Sequence, residues 1–439
     1  MRRWQMRHLT AMHGCASAPG SNNLVQVPIA IVGCGGMGGR HLRALGALQE
    51  SGMSNVDLVA VCDTREENAI FMADNAEQML GKRPKVFISM ADMKKNLPDI
   101  EAVSITTDSG SHHLVAEMAF DLGYHVLTEK PLSLTIRGCN RVLEAARRSG
   151  KVLSVAEQER RDPICRLNKA LIDAGVIGNP YAFLHGSAGN GNDIIVWPWR
   201  HYKNVGGIFV DAGVHEVDKM MYYLGDIVEV FAVSKIWEPK RYKSDNLGVS
   251  NFYEHWYDEV PDSIDADAED MVISTLKYEN GAVGQWTALY AGHGEKMNYS
   301  MIYGSKGSMR TARSRSGRPL SVTIDGADEI EGDAVLELVP EFHLDELSAR
   351  LFGKDRLGSY SGPFEDADRF LVALEYYELG QCVTDDVEPE VTGYVGRKDL
   401  AVCSAALESS VLGRPVTIDE IENEETSNYE SSINAHWKI

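Results

Sequence analysis

Between residues 27 and 157 short apolar runs alternate with longer segments in which apolar side chains recur every three or four positions. VPIAIVG (27–33), VDLVAVCD (56–63), KVFIS (85–89), DIEAVSITT (99–107), YHVLTEK (124–130) and KVLSVAE (151–157) read as strands. Between them RHLRALGALQ (40–49), ENAIFMADNAEQML (67–80), HHLVAEMAFDLG (112–123) and TIRGCNRVLEAARRSG (135–150) read as helices. Leu42, Leu45 and Leu48 share a face, and Gly123 and Gly150 are natural helix stops. Strands alternating with helices at this pitch build βαβ units. Parallel strands buried on both faces read as continuous apolar runs, as these do. The pattern predicts an α/β domain with a doubly wound parallel sheet over about 26–155.

The pattern then changes. After a helix at 163–174 come half-alternating segments, AEDMVISTLKYENGAVGQWTALY (268–290) and KMNYSMIYGSKGSMRTA (296–312). The first is broken by ENG, a turn signal. LSVTIDG (320–326) and AVLELVP (334–340) are further strand candidates. DRFLVALEYYELG (368–380) and KDLAVCSAALESSVLG (398–413) read as helices. Residues 156–415 are therefore expected to form an α+β domain with a large, mostly antiparallel sheet. The stretches 185–195 and 237–265 read as long loops, of the kind that is usually functional or mobile. Residues 416–439 read as an acidic surface tail, and 1–25, basic and poorly patterned, as a disordered or non-native leader.

Composition narrows the partners. The 439 residues carry a formal net charge of −21, which disfavours nucleic acid and anionic membranes. No run approaches a membrane span. The paired arginines at the start lack the apolar stretch of an export signal. Seven scattered cysteines without a CxxC pair read as free thiols in a reducing, cytoplasmic setting.

GCGGMG (33–38) follows a strand and opens a helix, the context that gives GxGxxG its meaning. Gly33 permits the tight turn, Gly35 lets main chain approach a pyrophosphate, and Gly38 lets helix and strand pack, with Gly36 and Met37 between them. Asp63 ends the second strand, where a carboxylate holds a ribose 2′-hydroxyl and repels a 2′-phosphate. NAD is therefore expected in preference to NADP, although Arg65 could pair with a 2′-phosphate. At the next strand ends, Thr107 with Thr106 could line the cofactor. His112, in the first turn of a helix, is either a contact or a structural hydrogen-bond partner. LTEKP (127–131) delivers Lys130 to cofactor depth, where an ammonium can steady a developing alkoxide, with Glu129 as the partner holding it. In GGIFVDAGVHEVDKMMYYLG (206–225), Asp211, His215 and Asp218 share one helix face. His215 suits movement of an alcohol proton, and Asp211 could orient its ring or bind a second hydroxyl. Hydride transfer needs no metal if Lys130 and His215 manage the proton, so none is expected. The run Trp197, Pro198, Trp199, Arg200, His201, Tyr202 either faces a sugar or anchors a loop.

These motifs, in this order over about 26–415, resemble the glucose–fructose oxidoreductase / inositol dehydrogenase (Gfo/Idh/MocA) family. AIVGCGGMGGRH looks like its opening, Glu129-Lys130-Pro131 like its EKP, and Asp211, Gly213 and His215 like its DxGxH. Thr107 and His112 match its upstream Thr and His as cofactor contacts. SVAEQERRDPICRLNKALIDAGVIG (154–178) resembles its crossover segment, whose RRDP brings Arg161 in as a substrate contact beside Trp199, Arg200 and His201. The resemblance implies a Rossmann domain joined to an α+β domain with a large open sheet. It allows for the cis Lys–Pro bond the family often uses. It implies Lys130, Asp211 and His215 as catalytic residues in an NAD-dependent dehydrogenase of a sugar, glycoside or cyclitol, and a homodimer or homotetramer built on the second sheet. The family also contains redox-neutral glycosidases that retain NAD and work through a transient keto-sugar, and regulatory members that bind cofactor without chemistry. Inserts at 185–195, 237–265 and 312–365 exceed a minimal member.

Overall fold

The computed structural model describes residues 25–244 and 248–439; the expected leader, apart from Val25, lies outside the described residues. The first part runs β1 (Val27–Val32), α1 (Gly36–Glu50), β2 (Val56–Cys62), α2 (Glu66–Leu80), β3 (Lys85–Phe87), α3 (Met90–Asn96), β4 (Ala102–Ile105), α4 (His112–Asp121), β5 (His125–Glu129), α5 (Ile136–Ser149) and β6 (Leu153–Ala156). The strands form one parallel sheet in the order β3-β2-β1-β4-β5-β6. The order reverses between β1 and β4, so the loops leaving these two strands diverge and open a crevice. Ile29, Ile31, Val103, Val126 and Leu127 are essentially inaccessible, as strands covered on both faces demand.

The second part runs α6 (Pro163–Asp173), β7 (Pro180–Asn190), α7 (Ile208–Leu224), β8 (Ile227–Lys235), β9 (Lys240–Tyr242), β10 (Ser263–Asp265), β11 (Met271–Tyr278), β12 (Val283–Gly292), β13 (Met297–Gly304), β14 (Gly307–Arg310), β15 (Ser321–Ile324), β16 (Ile330–Glu331), α8 (Glu346–Phe352), α9 (Phe364–Asp385), α10 (Gly393–Leu412), β17 (Val416–Thr417), α11 (Ile418–Glu422) and α12 (Ser431–Trp437). Nine strands make a sheet ordered β16-β15-β14-β13-β7-β12-β11-β8-β17, and β9 pairs with β10 apart from it. Only the β7–β12 pair is parallel. α7 and α10 pack against one face of the large sheet. On the other face Leu184, Phe231, Val233 and Ile273 are exposed. Among the described residues no helix is long and apolar enough to cross a membrane.

Four expectations need correction. Residues 185–190 are the second half of β7, not loop; small residues hid a central strand, and at Gly186 a Cβ would lie 2.7 Å from the Tyr299 ring. The 334–340 segment falls largely in a 3-10 helix, Gly332–Leu338, because Val335 and Leu336 turn inward together where a strand would send them to opposite faces. Residues 416–439 are not a surface tail. β17 pairs with β8, Thr417 and Glu420 form a capping box on α11, and Ile418, Ile421 and Ile433 are buried. The Glu430 carboxylate accepts from Ile136 N (3.0 Å) and Ser404 Oγ (2.6 Å), and Trp437 Nε1 donates to Asn204 O (2.7 Å). One apolar side chain per turn suffices for docking, and acidic neighbours masked it. Lastly, the cover of the first sheet is not confined to the expected 26–155. Leu371, Val372, Leu374, Tyr376 and Leu379 of α9 share a core with Leu42, Leu45 and Leu48 of α1.

Candidate active site

The glycine loop is built by close approach. Gly33 sits at φ 100°, and a Cβ there would lie 2.8 Å from the Thr106 main chain. At Gly38 a Cβ would strike the Gly33 carbonyl, whereas Gly35 faces open space. α1 starts at Gly36 without a side-chain cap or an acid in its first turn, which leaves its first N–H groups for an anion. The Asp63 carboxylate accepts from Cys34 N (2.6 Å) and Arg65 N (2.8 Å), tying the loop to the end of β2. Gly33, Gly35, Gly36, Met37, Asp63 and Thr107 line a cleft of about 510 Å³. An uncapped helix start, a glycine cradle and a carboxylate at the far end fit a dinucleotide's pyrophosphate and ribose.

Three expected cofactor contacts do other work. Arg65 points outward to Glu67 (2.9 Å) and Glu259 (3.2 Å), since those carboxylates offer an exposed guanidinium its nearest partners. His112 is buried with Nδ1 2.8 Å from Pro131 O and Nε2 3.2 Å from Thr107 O, so it braces the turn after β5 against the loop after β4. Glu129 does not hold the lysine ammonium. Its carboxylate takes Lys130 N (3.1 Å), His41 Nε2 (3.0 Å) and Arg40 (3.4 Å). Burial would raise this acid, but His41 and Arg40 outweigh it and keep the carboxyl ionised.

The Lys130–Pro131 bond is cis. Lys130 Nζ reaches α7, donating to Asp211 O (2.8 Å) and Asp211 Oδ1 (3.0 Å). α7 begins after Gly207, at φ 75°, and presses on the large sheet at Gly213, where a Cβ would lie 2.9 Å from the Trp286 ring. Asp211 also pairs with Arg200 (2.5 Å). Burial raises the Asp211 carboxyl, but Arg200 and Lys130 bring it below the usual range. Asp211 therefore binds the lysine rather than orienting the histidine.

His215 is oriented by Glu157, the residue just beyond β6, whose Oε1 meets Nδ1 in a close hydrogen-bonded contact. Burial and Lys130 push His215 down to about 3, while burial, Asp218 and Asp399 push the Glu157 carboxyl well up. Asp218 leaves this group and pairs with Arg160. Arg161 is turned away too. Asp162 caps α6 at Ile164 N (2.8 Å), and the turn sends Arg161 to Glu378 (2.7 Å) and Glu390 (3.3 Å). His201 is a loop anchor, its Nε2 accepting from Ile195 N (2.9 Å) and its carbonyl from Asp267 N (3.1 Å). Trp199 lines the dinucleotide cleft, and Arg200 the adjoining cavity.

That second cavity, about 440 Å³, is walled by Lys130, Asp211, His215 and Arg200, and Met37 and Tyr253 face both spaces. Tyr253 belongs to a 3-10 segment, Gly248–Glu259, within the expected 237–265 loop. It stacks on Trp197 at 4.9 Å between centroids, and its ring would meet a Cβ at Gly36 at 2.6 Å. Trp256 Nε1 donates to Asn68 Oδ1 (3.0 Å), so this strap fastens the second part over the glycine loop. Among the described residues no three His, Cys, Asp or Glu side chains gather as a metal-binding group. The sequence reading missed Glu157, Glu159 and the buried Arg40–Asp368 pair (2.5 Å). Charges closing an apolar strand, the signal that drew attention to Glu129 and Lys130, recur at the end of β6 and could have found the two glutamates.

Comparison with known proteins gives matches to two models of the GFO/IDH/MocA family, "Oxidoreductase family, NAD-binding Rossmann fold" over 27–157 and the C-terminal domain over 166–310. The uncharacterized oxidoreductase YrbE of Bacillus subtilis is 24% identical over 404 residues, 90% of this chain and 98% of that one. The inositol 2-dehydrogenase of Salmonella typhimurium is 32% identical over 215 residues, 48% of this chain and 57% of that one. A levoglucosan dehydrogenase solved with NADH and L-sorbose shares the fold, with a TM-score of 0.68 at 21% identity, over 90% of this chain and 99% of that one.

Proposed function

The chain belongs to the GFO/IDH/MocA oxidoreductase family, with its NAD-binding Rossmann fold, and from that premise we propose an NAD-dependent dehydrogenase that oxidises a secondary hydroxyl of a sugar or polyol. The observation that carries the reading is the meeting of Lys130, from the nucleotide-binding sheet, with Asp211 and His215 of α7 at a cavity adjoining the dinucleotide cleft. The sugar and cyclitol substrates in the relatives' names support the substrate class. In this reading residues 26–155 supply the cofactor cleft and 156–415 the substrate wall, with α9 and the last 24 residues bracing both.

Bound in the cleft, the nicotinamide supplies the hydride acceptor. The chain's residues handle the proton and the charge. Two of the three Lys130 N–H groups go to Asp211, which leaves one for the substrate oxygen, where it stabilises the developing alkoxide. Asp211, itself held by Arg200, fixes where that N–H points. His215 Nε2, the ring nitrogen not engaged by Glu157, takes the hydroxyl proton. Asp63 supports NAD over NADP, and Arg65, occupied by Glu67 and Glu259, does not offer itself to a 2′-phosphate.

The test is turnover with sugars and inositols, followed by NADH absorbance. K130A and H215A each lower kcat/KM by about 10²- to 10⁴-fold, while NADH still quenches tryptophan fluorescence. Full turnover by both variants would overturn the reading.

A further inference from the structure

The cavity beside Lys130 is lined by seven lysine and arginine side chains against four aspartates and glutamates, in a chain of net charge −21. All four acids are committed. Asp211 serves Lys130 and Arg200, and Asp368 serves Arg40 and Arg315. Glu159 serves Lys219 and Arg315, and Glu216 serves Lys219 and His185. Two lining cations remain, Lys296 and Arg313, both exposed, and neither has a side-chain partner among the described residues.

The β13–β14 hairpin brings these two together. Its pairing runs from Gly304↔Gly307 to Met301↔Arg310 and continues with Thr311 N donating to Ser300 O (2.9 Å). Lys296 immediately precedes β13, and Arg313 follows β14, so both leave the hairpin at the end away from its turn. There they stand over the cavity with Asn298, whose amide is also free of partners among the described residues. A surface this acidic repels anions at a distance, so a local surplus of unpaired cations matters only to an anion seated within contact range.

Resting on the dehydrogenase reading, we infer that the substrate is an anionic sugar derivative. Its charged group is received by Lys296 and Arg313 while the hydroxyl to be oxidised lies at Lys130 and His215. A carboxylate on a sugar acid and a phosphate on a sugar phosphate share this chemistry. The volume of about 440 Å³ is in the range of small-ligand sites.

The test compares a hexuronate, a hexose phosphate and the neutral hexose as substrates of the NAD-loaded enzyme, then repeats the assay with K296Q/R313Q. One of the two anions has the highest kcat/KM, and which one identifies the group. The double variant lowers the ratio of kcat/KM for that anion over the neutral sugar by about 10- to 100-fold, as loss of charge-assisted hydrogen bonds requires. Isothermal titration of the same anion into the NADH complex shows the matching loss of affinity. Turnover that favours neutral sugars, or a ratio unmoved in the double variant, overturns the anionic substrate and leaves the dehydrogenase reading standing. Absence of NADH from every sugar, charged or neutral, overturns both.

Discussion

At the scale of single residues, the Glu157–His215 contact decides how the site responds to pH. Burial and the nearby Asp218 and Asp399 make the Glu157 carboxyl hold its proton, and burial with Lys130 weakens the hold of the imidazole. The two groups titrate as one unit. With that shared proton present, the Glu157 carboxyl donates to Nδ1, and Nε2 carries hydrogen and cannot accept one. Once the proton leaves, the carboxylate accepts from Nδ1–H and Nε2 becomes a base. Oxidation is therefore expected to rise with pH along a limb that belongs to the pair, and reduction to fall along it. Glu157→Gln removes the carboxyl proton, so the limb moves toward acid, where His215 alone titrates. Profiles of kcat against pH for the parent and Glu157→Gln, in both directions, check this, and an unmoved limb would show Glu157 to be structural only. Lys130, Asp211 and His215 were legible because each is a chemically unusual residue at a predictable place, a strand end or a helix face. Their partners were not. Which carboxylate meets which cation depends on chain segments far apart, as with Arg40 and Asp368, and no local pattern encodes that distance.

At the scale of elements, α12 stands out for a buried acid. Glu430 stands just before its first turn without capping it, and gives its carboxylate to Ile136 N at the head of α5 and to Ser404 Oγ of α10. Burial lifts it from an ordinary 4.5 to about 7. The folded state thus holds a proton between about 4.5 and 7 that the unfolded state has lost, and its stabilising contribution fades as pH rises through that window. Glu430→Gln is neutral throughout, so its Tm relative to the parent should become more favourable from pH 4.5 to 7, by up to about 3 kcal/mol in stability. A constant Tm difference across that range, measured by calorimetry, would count against it. Elements were legible where apolar residues carried the period, as in α1 and β11. They were obscure where packing relied on small residues, as in β7, or where an apolar run turned inward as a 3-10 helix, as at Gly332–Leu338.

At the scale of the whole molecule, the large sheet leaves one face open. Phe231, Val233 and Ile273 are 44%, 47% and 48% exposed and lie side by side through the Val233↔Ile273 and Phe231↔Thr275 pairs, and Leu184 follows in the same row beyond Thr275 and Gln285. An exposed apolar cluster of this kind is a candidate association surface. A homodimer or homotetramer through this face is expected, with F231D/I273D shifting the mass measured by light scattering to that of one chain while circular dichroism is unchanged. A parent protein already of that mass would rule it out. The two-part architecture was legible from the change in periodicity near residue 156, whereas the return of α9 and α12 to the first part was not. Helices reveal their buried stripe but not the sheet they will cover.

That return sets an order on maturation. The nucleotide-binding sheet is translated before α9 and α12, but α9 supplies part of the core around α1, and Glu430 supplies the acceptor for the first N–H of α5. A nascent chain that has left the ribosome only as far as β6 still has part of the apolar surface of α1 uncovered. The nucleotide-binding part is thus made before the segments that finish it, and its completion waits on α9 and α12.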